Sequence, residues 1–111
     1  MRQDPSQEGP PKTKMKREEA LALAKANPAS WTELQVFTLE SYLIEVAKKK
    51  PPSKRNAFMA ELDKLAGRDL EALEDLIALG KDHKILPDDY NIEKESLNVF
   101  CGRRNIEITS N

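Results

Sequence analysis

The sequence predicts an all-α protein: a small domain of four or five helices with a disordered N-terminal tail and an extended C-terminal segment. Apolar residues recur at helical spacing through several segments, and most of the prolines and glycines fall at the ends of those segments. A length of 111 residues fits one domain. We assign residues 1–13 to the tail, 14–102 to the helical domain and 103–111 to the extended segment.

The longest helical pattern runs from Ser30 to Lys50 and contains neither Gly nor Pro. Ser30 and Glu33 have the spacing of a capping box, in which each side chain bonds the other residue's backbone amide. Three lysines and Pro51 suit the C-terminal end, because cations complement the helix dipole and proline cannot continue a helix. Apolar residues cover most of its circumference, which predicts a helix buried between neighbours.

An alternative interpretation places one apolar strip of this helix against a partner protein. The residues of this strip are Trp31, Phe37 and Ile44. The first interpretation predicts instead that the helix supplies much of the core. The predicted core then comprises Trp31, Leu34, Leu39, Leu43, Val46, Phe58, Leu62, Leu65, Leu73, Leu76 and Ile77.

The remaining helices are predicted on either side of the central one. Propensity indicates a helix over about Met15–Ala26, and apolar periodicity indicates two more, over about Lys54–Ala66 and Leu70–Gly80. Ser53 and Asp69 are the expected N-caps of the latter two.

The C-terminal region has two interpretations. In one, Lys94–Cys101 forms a short helix closed by Gly102 and followed by an extended tail. In the other, the stretches LNVFC and NIEIT pair as a hairpin. We favour the helix. If residues 105–109 are exposed, they could add as a strand to a partner's sheet; otherwise they lie along the core.

Charge is distributed unevenly along the chain. Residues 1–55 hold eleven basic and seven acidic side chains, whereas residues 69–95 hold nine acidic and three basic ones. The densest basic stretch is the loop after the central helix, and further basic residues precede the first helix. Together they are the candidate sites for nucleic acid or another polyanion: Lys48, Lys49, Lys50, Lys54, Arg55, Lys12, Lys14, Lys16 and Arg17. The alternative is a solvated helix end.

The sequence offers few groups for chemistry. His83 and Cys101 are the only residues of their types, and neither lies in a recognisable catalytic or metal-binding pattern. We therefore predict no catalytic residue, cofactor or metal, with His83 at a helix end and Cys101 buried as a small apolar residue. A single cysteine, no long apolar run and no secretion signal predict a cytoplasmic protein that does not enter a membrane.

The functional hypothesis is a non-enzymatic regulatory or adaptor protein that acts through contacts with another protein or with itself. It rests on the absence of catalytic motifs, the uneven charge and the flexible tail. The alternative is an accessory nucleic-acid-binding protein that contacts phosphates through the basic loop and the N-terminal basic residues.

Overall fold

Five helices and one pair of short strands make up the described part of this chain, which is represented by a computed structural model covering residues 13–65 and 67–109. The predicted mainly helical fold is confirmed. The predicted tail lies almost wholly outside the described residues. In chain order the elements are β1 (Thr13–Lys16), α1 (Arg17–Lys25), α2 (Pro28–Ala47), α3 (Pro52–Leu62), α4 (Leu70–Asp82), α5 (Ile92–Arg104) and β2 (Ile106–Thr109).

The N-cap of the central helix α2 lies three residues earlier than predicted. The Oδ1 atom of Asn27 accepts a hydrogen bond from the Ser30 backbone N–H at 3.3 Å, so Asn27 is the N-cap. Pro28 occupies the first helical turn, where its missing N–H costs nothing. The predicted capping box at Ser30 and Glu33 is therefore wrong, and the helix ends at Ala47 rather than at Lys50.

Of the other two predicted N-caps, the one of α4 is confirmed and the one of α3 is wrong. Asp69 caps α4 as expected, and its Oδ1 accepts from the Ala72 N–H at 3.0 Å. Ser53 does not cap α3, because Pro51 and Pro52 already fix the backbone dihedrals of the helix start. That helix ends at Leu62, earlier than predicted.

The C-terminal region is a helix followed by a strand, so the hairpin is wrong. Helix α5 continues through Gly102 to Arg104, and Asn105 ends it in the left-handed conformation at φ 56°. Strand β2 then pairs in parallel with β1, with Thr13 opposite Ile106. Because residues 13–16 form β1, helix α1 starts at Arg17 rather than at Met15. The pairing with β1 also holds residues 105–109 along the core.

In the part of the chain that the structure describes, the core consists of two clusters that α2 connects. The first contains residues of α2 from Val36 onward, residues of α3 and α4, and Ile85 after α4. The second contains residues from α1, α5 and the start of α2. All eleven predicted core residues are buried or packed against a cluster, although Val46, Leu65 and Ile77 are only partly buried. Cys101 is buried as predicted, and burial raises the pKa of its thiol, with the charge of Arg17 acting in the opposite direction.

Replacing Ser96 with Ala is expected to raise the free energy of unfolding by roughly 1 kcal/mol. Ser96 is 0% exposed on α5, and its hydroxyl has no hydrogen-bond partner among the described residues. Alanine removes this unpaired polar group and favours the helix. Urea denaturation measures the change, with Ser41→Ala on the exposed face of α2 as the control for helix propensity alone. A loss of stability on Ser96→Ala alone would mean that the hydroxyl has a partner.

Candidate functional site

The three residues of the predicted partner-facing strip do not share a surface. Trp31 is only 8% exposed and belongs to the second core cluster. Ile44 is partly buried against the first cluster. Phe37 alone is well exposed, at 43% of its surface. Any partner contact on this side of α2 is therefore centred on Phe37.

Phe37 borders a groove of about 440 Å³ between α2, the end of α5 and the loop before α4. We call it the arginine groove because three arginines line it: Arg68 from the loop before α4, and Arg103 and Arg104 from the end of α5. Its lining comprises Ser30, Glu33, Leu34, Phe37, Arg68, Phe100, Arg103 and Arg104.

Two of these arginines stack on aromatic rings. The guanidinium carbon of Arg103 lies 4.8 Å from the centre of the Phe37 ring, and that of Arg104 lies 4.9 Å from the centre of the Phe100 ring. The negative face of a phenyl ring attracts a cation placed over it. In the described part of the chain, neither guanidinium lies within 4.0 Å of a carboxylate. Both therefore keep N–H donors for an external acceptor.

The third arginine is already paired. An Nη1 atom of Arg68 donates to Oε1 of Glu40 at 2.9 Å, which ties the loop before α4 to the side of α2. Glu33 also lines the groove and partly offsets its charge. The unpaired positive charge is thus concentrated at Arg103 and Arg104.

The groove was not predicted from the sequence, because Arg103 and Arg104 were assigned to the extended C-terminal segment. In the structure α5 continues to Arg104, and the helical repeat then places Arg104 one turn after Phe100. The i,i+4 spacing of Phe100 and Arg104 in the sequence could have indicated this contact. The contact between Arg103 and Phe37 joins distant parts of the chain and had no local signal.

The predicted polyanion-binding residues do not form one surface. Lys48, Lys49 and Lys50 follow α2, and Lys54 and Arg55 lie in the first turns of α3. Lys14 and Lys16 lie on β1 and Arg17 begins α1, while Lys12 is outside the described residues. Neither β1 nor α1 contacts α3. The loop and the N-terminal basic residues are therefore separate features.

The two candidate chemical groups are also apart. His83 caps the end of α4, where its Nε2 atom lies 3.2 Å from Oε2 of Glu61 and its ring meets the edge of Phe58. Cys101 belongs to the other core cluster. Over residues 13–65 and 67–109, no group of three His, Cys, Asp or Glu side chains is placed to hold a metal ion.

Comparisons with protein families, with curated proteins and with solved structures found no match for this chain. Across the described residues, no helix combines the length and apolar character needed to cross a membrane. The geometry and charge of the groove are therefore the basis for assigning a function.

Proposed function

We propose that this chain is a non-enzymatic regulatory or adaptor protein that binds another protein through the arginine groove. The observation that carries the proposal is the exposed ring of Phe37 beneath the unpaired guanidinium of Arg103. Arginine and aromatic side chains are enriched among the residues that contribute most to interface affinity. Single exposed phenylalanines are common on protein surfaces and do not by themselves indicate a binding site. An exposed phenylalanine that stacks with an unpaired arginine beside a groove resembles the centre of a protein–protein interface.

The chemistry of the groove favours an acidic partner segment that also carries an apolar side chain. The stacked guanidinium groups keep the planar N–H pattern that binds a carboxylate through two parallel hydrogen bonds. Leu34 and the rings of Phe37 and Phe100 offer apolar surface beside them. Because the side chains project from two packed helices, little conformational freedom remains to be lost on binding.

Photo-crosslinking in the native cell tests this proposal. The photoreactive residue p-benzoylphenylalanine replaces Phe37, and in a control protein it replaces Leu70, which is 59% exposed on α4 outside the groove. We expect position 37 to capture a defined protein and position 70 not to capture it. Adding Arg103→Gln and Arg104→Gln is expected to reduce capture at position 37 by at least about tenfold, since two contacts of this kind are lost.

Two outcomes would contradict the proposal. Equal capture at positions 37 and 70 would indicate random collisions, and capture unaffected by the arginine changes would remove the groove from the interface. Capture of DNA or RNA instead of protein would favour the alternative, an accessory nucleic-acid-binding protein. That alternative draws support from the basic loop, where only Lys48 has a carboxylate partner among the described residues, Glu45 at 3.7 Å.

A further inference from the structure

We propose that a second cavity, between α2, α3 and α4, binds a small organic phosphate ester. This cavity measures about 370 Å³, and we call it the lysine pocket. It lies where the end of α2, the first half of α3 and the end of α4 meet. Its lining comprises Ala47, Lys50, Ser53, Lys54, Ala57, Phe58, Asp82, His83, Lys84 and Ile85.

The floor of the lysine pocket is apolar. Ala47, Phe58 and Ile85 all belong to the first core cluster, and each is almost completely buried. Ala57 adds an apolar wall from α3. Binding sites for small molecules usually combine such a floor with a few polar groups that fix the ligand's orientation. The apolar floor therefore fits the organic part of a ligand.

The charged groups around this floor are mainly cationic. Lys50, Lys54 and Lys84 come from three different segments, and none has an ion-pair partner in the part of the chain that the structure describes. One carboxylate, Asp82, lies among them and partly offsets their charge. Lysine ammonium groups are common ligands of phosphate, and the Ser53 hydroxyl adds a neutral donor. Three cations against one anion therefore favour an anionic group.

Lys84 adds a second observation at the border of the pocket, the conformation of its backbone. Its φ of 58° is left-handed, and it follows the cap of α4 in a Schellman motif, in which the Ile85 N–H donates to the Gly80 carbonyl at 2.9 Å. Glycine is the residue that adopts this conformation without cost. Here a lysine that lines the pocket occupies this position, and strained backbone of this kind is concentrated at functional sites.

The size of the lysine pocket favours a small molecule over a polymer. Its volume is near the lower end of the range for small-molecule sites, roughly 300–1,000 Å³. A phosphate monoester with a compact apolar body matches both parts of this pocket.

Titration with phenyl phosphate tests the inference on the full chain. The probe joins an apolar ring to a phosphate, and inorganic phosphate and phenol test each part alone. We expect phenyl phosphate to shift the methyl NMR signals of Ala47, Ala57 and Ile85 in a saturable way. Either part alone is expected to bind at least about tenfold more weakly, since each makes only part of the contacts.

The Lys84→Gly variant distinguishes a loss of ligand binding from a loss of folding stability, because the two are expected to change in opposite directions. It removes one cation and relieves the left-handed backbone, so we expect phenyl phosphate to bind about tenfold more weakly while the melting temperature rises by a few degrees. Lys64→Gln removes an exposed charge that does not line the pocket and is expected to leave binding unchanged. Variants of Arg103 and Arg104 should also leave it unchanged, so this inference and the proposed function fail separately.

Several results would overturn the inference. One is phenyl phosphate binding that Lys84→Gly does not weaken, or that Lys64→Gln weakens equally. Another is phenol binding as tightly as phenyl phosphate, which would leave only an apolar cavity. No saturable shift with any probe would also overturn it. Displacement of phenyl phosphate by a short oligonucleotide at lower concentration would replace the small ligand with a polyanion.

Discussion

Replacing Leu43 with Ala is expected to lower the free energy of unfolding by roughly 2–5 kcal/mol. Leu43 is 0% exposed and lies in the first core cluster, where α2 packs against α3 and α4. The substitution loses the transfer free energy of the buried side chain and leaves a cavity that rigid helices only partly fill. Small domains have a total stability of about 5–15 kcal/mol, so one such change removes a large share of it.

Urea denaturation of the Leu43→Ala variant gives the magnitude. Leu70→Ala is the matched control, because Leu70 has the same side chain but is 59% exposed. We expect the control to change stability by less than about 0.5 kcal/mol. A loss for Leu43→Ala as small as that of the control would place this face of α2 at the surface.

The same variant tests whether the two core clusters unfold together. Trp31 is the only tryptophan and lies in the second cluster, whereas Leu43 lies in the first. Because α2 supplies residues to both, we expect the Trp31 fluorescence transition to shift as far as the circular dichroism transition. A Trp31 transition that stays in place would show that the clusters unfold separately.

Local signals in the sequence predicted the presence of the helices better than the residues at which they begin and end. The cap at Asp69 was found because no other capping residue stands beside it. At α2 the pattern of Ser30 and Glu33 competed with Asn27, and the pairing of Asn27 with Pro28 decided the outcome. The β1–β2 pair was missed because its strands lie at opposite ends of the chain and each has only four residues.

The two proposed binding sites depend mainly on contacts between residues that lie far apart in the sequence. The arginine groove requires α5 to extend to Arg104 and Arg103 to reach Phe37. The lysine pocket requires Lys84 to lie near Lys50 and Lys54, which follows from the packing of α4 on α2 and α3. Sequence reasoning identified Lys50 and Lys54 as basic surface. Lys84 was predicted only as a cation at the end of the fourth helix, because its position beside Lys50 and Lys54 arises from tertiary packing.

Gly80→Ala is expected to lower the free energy of unfolding by roughly 1–3 kcal/mol, although alanine is the better helix former. Gly80 lies inside α4 where this helix meets α2. A Cβ atom there would lie 2.9 Å from the Cβ of Leu86 and 3.0 Å from Cδ2 of Leu43. The leucine Cδ2 atom can rotate away, but the Leu86 Cβ is fixed to the backbone, so the segment after α4 must shift.

Gly102→Ala is the control for Gly80→Ala, because the two substitutions are expected to change the free energy of unfolding in opposite directions. Gly102 also lies inside a helix, α5, but a Cβ atom there would meet no neighbour within 4 Å among the described residues. We therefore expect Gly102→Ala to raise the free energy of unfolding by about 0.5–1 kcal/mol, the usual gain of alanine over glycine in a helix. Urea denaturation of both variants compares them directly. If both substitutions stabilised the protein, α4 would not approach Leu43 and Leu86 closely, and the floor of the lysine pocket at Ile85 would lose its support.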